Sequence, residues 1–99
     1  MPQPSHPTEL TLAAFQKHIA DRYEQHDRAR GTPGTWLHFS EEIGELARAL
    51  ARQDERQNLE EEFADVIAWL CTLANINDVD LTAAITRKYL GEQPPEGHK

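Results

Sequence analysis

The sequence predicts an all-α domain, a four-helix bundle with a short last helix. Three observations lead there. Apolar residues recur at spacings of three and four through most of the chain, no segment alternates apolar with polar as a half-buried strand would, and Gly, Pro, Asn and Asp cluster between the periodic stretches. The length, 99 residues, is that of one domain.

The elements follow in order. Residues 1–8 hold three prolines and no periodic pattern, and read as a flexible N-terminal arm. The domain proper is expected over 9–90. Its first helix is predicted from about Glu9 to Arg28, with Leu12, Phe15, Ile19 and Tyr23 as its apolar stripe. The run Arg30-Gly31-Thr32-Pro33-Gly34-Thr35 interrupts it. The second helix starts near Thr35, or at Thr32 with Pro33 in the first helical position. Its stripe is Trp36, Phe39, Ile43, Leu46, Ala47 and Leu50. A charged link, Gln53 to Gln57, comes next. Asn58 and Glu61 then have the spacing of a capping box, which opens a third helix with the stripe Leu59, Phe63, Val66, Ile67, Leu70, Leu73 and Ala74. It ends near Asn75-Ile76-Asn77-Asp78. Asp80 caps a short fourth helix carrying Leu81, Ala84, Ile85 and Tyr89. Residues 91–99 are expected to form a disordered tail.

Charge excludes several functions. Seventeen acidic residues against ten basic ones give a net charge of −7. Nucleic-acid binding needs a basic footprint, and anionic membranes would repel this chain. An anionic substrate would need divalent cations between itself and the protein. No stretch approaches the roughly 20 apolar residues of a membrane span, and the N-terminus lacks a signal peptide's pattern, so a cytoplasmic protein is expected. The one cysteine, Cys71, lies in an apolar run. It allows neither an intramolecular disulfide nor a cysteine zinc site, and reads as a buried thiol in a reducing compartment.

The chemistry-bearing pattern is two pairs of acids, Glu42 with Glu45 and Glu62 with Asp65, one on each long central helix. Residues three apart share a helical face, so each pair can converge on one point. Glu41 and Glu61 are rival candidates. At about 100° per residue they fall nearly opposite their own apolar stripes and should be solvated. Glu42 and Glu62 fall at the stripe's edge, about 80° from its centre, with Glu45 and Asp65 further round on the same side. Two antiparallel helices could thus bring four carboxylates to one edge of a shared core. Such a group repels itself unless cations offset it, and oxygen ligands without His or Cys suit Mg²⁺ or Mn²⁺. No Glu-x-x-His occurs, which argues against a di-iron bundle.

With these pairs, and the flanking text Glu41-Glu42-Ile43-Gly44-Glu45-Leu46 and Glu61-Glu62-Phe63-Ala64-Asp65-Val66-Ile67-Ala68-Trp69, the sequence resembles the MazG-like nucleotide pyrophosphohydrolases. Their hallmark is Glu-x-x-Glu, a spacer, then Glu-x-x-Asp. The likeness runs from about Phe15 to Tyr89. It implies a MazG-like helical bundle that hydrolyses a nucleoside triphosphate to the monophosphate and pyrophosphate, cleaning the nucleotide pool. It implies Mg²⁺, with Mn²⁺ as a substitute, held by Glu42, Glu45, Glu62 and Asp65, which are also the catalytic candidates; either Glu45 or Glu42 could serve as base. Lys88 matches a phosphate-contacting lysine of the family, although Glu92 stands where many relatives have asparagine. Trp69, one turn beyond Asp65, matches an aromatic near the base, or simply packs. Trp36 and Arg30 complete the substrate-binding candidates. Asp27 and Arg28, beside Arg30, read as mobile surface charge within reach of the substrate, and His38 as a possible support for Glu42. Rival readings are phosphoribosyl-ATP pyrophosphohydrolase activity and a non-catalytic helical dimerisation module. So small a domain cannot cover all its stripes alone, so a homodimer or homotetramer is expected.

Overall fold

A computed structural model describes residues 9–91. These form three helices, α1 (Leu12–Arg52), α2 (Arg56–Ile76) and α3 (Leu81–Tyr89), and no strand. The proposed N-terminal arm over 1–8 and all but the first residue of the proposed tail lie outside the described residues.

The all-α class holds, but the first two expected helices run together as α1. The interruption shrinks to a kink at Gly31, whose φ of 83° and ψ of 171° are not helical. Glycine tolerates this positive φ because it has no Cβ to clash. Pro33 then reinforces the break, since it has no N–H to return to the preceding turn yet suits the first turn of a new helical stretch. Helix α1 thus has an N-terminal arm, 12–30, and a C-terminal arm, 32–52. Thr11 caps its start, accepting from the Ala14 N–H at 3.0 Å.

A second boundary also differs from expectation. Helix α2 begins at Arg56, and its N-cap residue, Glu55, makes no side-chain capping bond. Asn58 is therefore inside the first turn and not the cap; its amide donates to Asp54 at 3.0 Å. The link itself is tight. Gln53 takes the left-handed conformation and turns its N–H back to the carbonyls of Ala49 and Leu50, ending α1. Asp80 caps α3 as expected, accepting from the Ala83 N–H at 3.1 Å.

The short link makes the C-terminal arm and α2 antiparallel neighbours. Thr35, Phe39, Glu42, Leu46 and Ala49 line the seam on one side, at alternating steps of four and three, and all are buried or half-buried. Leu59, Glu62, Val66, Trp69 and Leu73 line it on the other at the same steps, all half-buried. Such spacing is that of two helices packed along a continuous stripe. Cys71 is fully buried, and burial pushes its thiol up.

The N-terminal arm crosses the other end of α2, where Ile19 and Tyr23 meet Ala68, Trp69 and Thr72 around a groove of about 240 Å³. Polar side chains pin the turn after α2. Gln16 donates to Asn75 (3.0 Å) and the Val79 carbonyl (2.7 Å) and accepts from the Leu81 N–H (3.0 Å). Arg28 donates to the Asn75 carbonyl (3.0 Å) and Asp78 (2.7 Å), supplying a partner to an end-of-helix carbonyl. It is a structural clamp, not mobile surface charge. Helix α3 rests on the start of α1, around Leu12 and Ala13.

Much of the predicted core is uncovered in the single chain. Trp36, Ile43 and Leu50, seven apart on the C-terminal arm, and Phe63, Ile67 and Leu70 on α2 are between 37% and 53% exposed. The stripes are wider than one partner helix can cover, and α3, nine residues long, packs on the opposite arm.

Candidate functional site

Two seam positions are given to acids. Glu42 and Glu62 stand where the pattern around them calls for apolar side chains, and both are half-buried. Helical geometry brings them together with Asp65: one carboxylate oxygen from each of Glu42, Glu62 and Asp65 lies within 4.8 Å of the other two. Glu45, one turn after Glu42, is exposed at the rim and acts electrostatically on both Glu42 and Glu62. Glu41 and Glu61 face solvent, as the helical phase requires.

The group is under electrostatic load. Burial, then the adjacent Glu45, Asp65 and Glu62 carboxylates, push the Glu42 carboxyl up to about 7. Burial and the neighbouring acids also raise Glu62, against a smaller opposing pull from Arg48. One Glu42 oxygen is buried without any hydrogen-bond partner. A buried carboxylate oxygen with no donor is costly, and a bound cation is one remedy.

Beside the acids, Glu41, Glu42, Gly44, Glu45 and Arg48 line an open groove of about 410 Å³. Gly44 keeps that wall low: a Cβ there would meet nothing within 4 Å. The sequence reading passed over Arg48. Its position one turn after Glu45, on the face of the acid pair, was the signal that could have found it.

The two helices keep their register beyond the acids. One turn back from Glu42 is His38, one turn on from Asp65 is Trp69, and their rings stack with centroids 4.9 Å apart and planes 15° from parallel. An aromatic plate thus adjoins the carboxylate group. Arg30 lies over the Trp69 ring, its guanidinium carbon 5.0 Å from the centroid. The guanidinium also binds Asp27, which is buried and not surface charge as its sequence context suggested. Trp36 belongs elsewhere, packing on Phe39 at 5.5 Å on the open apolar face. Lys88 is exposed on α3 with its ammonium over the Tyr89 ring, and α3 rests on the N-terminal arm while the acids sit on the C-terminal arm and α2. Glu92 lies outside the described residues.

Fold and site together define a helical domain whose central helix pair carries an acidic group able to take a divalent cation. Residues 33–94 match the family model of the MazG nucleotide pyrophosphohydrolase domain, and the chain belongs to that family. The match takes in the C-terminal arm from Pro33 on, α2, α3 and all four acids, so at the level of class the domain is a nucleotide pyrophosphohydrolase. No curated protein matches it. Among the described residues no helix is long and apolar enough to cross a membrane.

Proposed function

We propose that this protein hydrolyses a nucleoside triphosphate to the monophosphate and pyrophosphate, with Mg²⁺ as its metal and Mn²⁺ as a substitute, and so cleans the nucleotide pool of the cytoplasm. One observation carries the reading. Carboxylates occupy two positions of an apolar helix seam, where they weaken the fold unless something binds them.

The donors fit a small hard cation. Oxygens on opposite sides of a Mg²⁺ ion are about 4.2 Å apart, twice the bond length of roughly 2.1 Å. The 4.8 Å spread of Glu42, Glu62 and Asp65 is within a small side-chain movement of that, and Glu45 acts on Glu42 from the rim of the group. A metal bound there would supply charge neutralisation for the triphosphate and polarise its α-phosphorus. Glu42, Glu62 and Asp65 would hold the ion. Glu45, outside that group of three, takes a proton from the attacking water. The new oxygen–phosphorus bond forms at the α-phosphorus, the bond to the bridging oxygen breaks, and pyrophosphate leaves. Arg48 steadies the phosphate chain along the groove. Trp69, backed by His38 and Arg30, receives the base.

We further assign a symmetric dimer or tetramer, formed over the open face of Trp36, Ile43, Leu50, Phe63, Ile67 and Leu70. In that assembly Lys88 serves the phosphates of a second copy, and Trp36 closes the site from the interface. The test is pyrophosphate release from a panel of nucleoside triphosphates and phosphoribosyl-ATP with Mg²⁺. Release from phosphoribosyl-ATP alone would replace the substrate named here. Release from none, by a folded and metal-loaded protein, would leave a non-catalytic helical module.

A further inference from the structure

The break at Gly31 leaves the angle between the two arms of α1 to be held by side chains, because the backbone ladder is interrupted there. One buried link spans it. Arg30, the last residue before the break, donates from Nη2 to Asp27 at 2.6 Å and from Nε to the Thr35 hydroxyl, beyond the break, at 3.0 Å. Asp27 is 5% exposed and Thr35 is 0% exposed. The same guanidinium covers the Trp69 ring on α2. A single planar cation therefore touches both arms of α1 and the partner helix, at the aromatic plate next to the acids.

We propose that Arg30, gripped by Asp27 and Thr35, is a positioning residue that sets the α1 kink and the orientation of Trp69, and that it governs affinity for the nucleotide base without touching the phosphates. The nucleotide part rests on the function proposed above. The geometry of the guanidinium favours this over a phosphate contact. Its charge is already matched by a buried carboxylate, one face is applied to an indole, and two edges are used by Asp27 and Thr35. A lysine could not make these contacts together, since its ammonium is a point donor and not a planar fork. Asp27 in turn depends on Arg30: its second oxygen is buried without a partner. A plain structural ion pair would behave differently, because a buried pair can often be exchanged for apolar residues of similar volume without loss.

The Trp69 signals are read in the full chain with Trp36→Phe, which leaves Trp69 as the only indole, and KM is read in the full chain with Trp36 kept. Asp27→Leu with Arg30→Met removes both charges, so no unpaired charge is left in the interior. Thr35→Val deletes the hydroxyl while keeping the shape, and Thr35→Ser returns the hydroxyl. Both the double variant and Thr35→Val are expected to change the emission and near-ultraviolet dichroism of Trp69. They should also raise KM for the nucleoside triphosphate by about tenfold while kcat stays within about threefold, with Thr35→Ser restoring both readouts. Unchanged Trp69 signals and KM in the folded variants would reduce Arg30 to an ordinary ion pair and overturn the proposal. A fall in kcat at constant KM would place Arg30 at the phosphates and also overturn it. If the double variant does not fold, Thr35→Val and Thr35→Ser decide alone. The Trp69 signals are read without nucleotide, so a chain inactive on every nucleotide would remove the functional reading yet still test the bridge.

Discussion

In Glu42 the demands of folding and of the proposed metal site oppose each other in one side chain. Its carboxyl, near 4.5 in an unfolded chain, is pushed up to about 7 in the fold by burial and by Glu45. A carboxyl raised on folding favours the native state while protonated, so its contribution is complete below about pH 4.5 and is lost as pH rises towards 7. Glu62 is shifted in the same direction. The metal-free protein is therefore expected to show a falling thermal midpoint from pH 5 to pH 7.5, and millimolar Mg²⁺ should reverse the fall. A midpoint indifferent to both pH and Mg²⁺ would remove the electrostatic argument for the site. Substitution separates the acids further. Glu42→Gln and Glu62→Gln should raise the metal-free midpoint at pH 7.5, since they delete repulsion, and lower kcat/KM by at least about a hundredfold. Glu41→Gln and Glu61→Gln, on the solvent side, should leave both nearly unchanged. The opposite pattern, measured by calorimetry and pyrophosphate release, would mean that the wrong acids have been assigned.

At the level of elements, two glycines in α1 do opposite things. Gly31 has a φ of 83° and a ψ of 171°, a region essentially reserved for glycine, so Gly31→Ala is expected to cost about 1–2 kcal/mol. For a domain of this size that lowers the midpoint by roughly 5–15 °C. Gly44 lies in regular helix with open space beside it, so Gly44→Ala should stabilise by about 0.5–1 kcal/mol. It should at the same time weaken nucleotide binding, because the new methyl group stands in the groove beside Glu42 and Glu45. Thermal melts with metal and nucleotide titrations check both. A stabilised Gly44→Ala that binds nucleotide as tightly as the parent would show that the groove is not the phosphate path.

At the scale of the whole molecule, the described residues leave a broad apolar face uncovered. The radius of gyration is 15.6 Å, against about 13 Å for a compact domain of 100 residues. Six large apolar side chains along two helices remain 37–53% exposed. A second copy packed over that face would bury them and complete a four-helix core. Light scattering at micromolar concentration should give a mass at least twice the 11.3 kDa of the chain. Phe63→Glu combined with Ile67→Glu should return it to the chain mass and lower the midpoint. A parent protein that is monomeric and fully active would refute the assembly and the role given to Lys88 of a second copy.

The helices and the acid pairs were legible in the sequence because they are local. Apolar spacing marks α1, α2 and α3, an aspartate just before the last periodic stretch marks the cap at Asp80, and a phase of about 100° per residue separates Glu42 from Glu41 and Glu62 from Glu61. Tertiary structure decided the rest, because it depends on which residues meet from distant segments. The Gly-Pro break was expected to end a helix, yet the chain only bends, since Asp27, Arg30 and Thr35 tie the two arms together across it. Nothing local marks Asp27 as buried; an aspartate in a charged run is ordinarily solvated, and only in the folded chain is it enclosed and paired with Arg30. The stacking of His38 on Trp69 and the closeness of Glu42 to Asp65 follow from one antiparallel register, set by the short link at Gln53–Glu55 and the apolar seam. Spacing could place each acid on a face, but only that register could bring the two faces together as one acidic group.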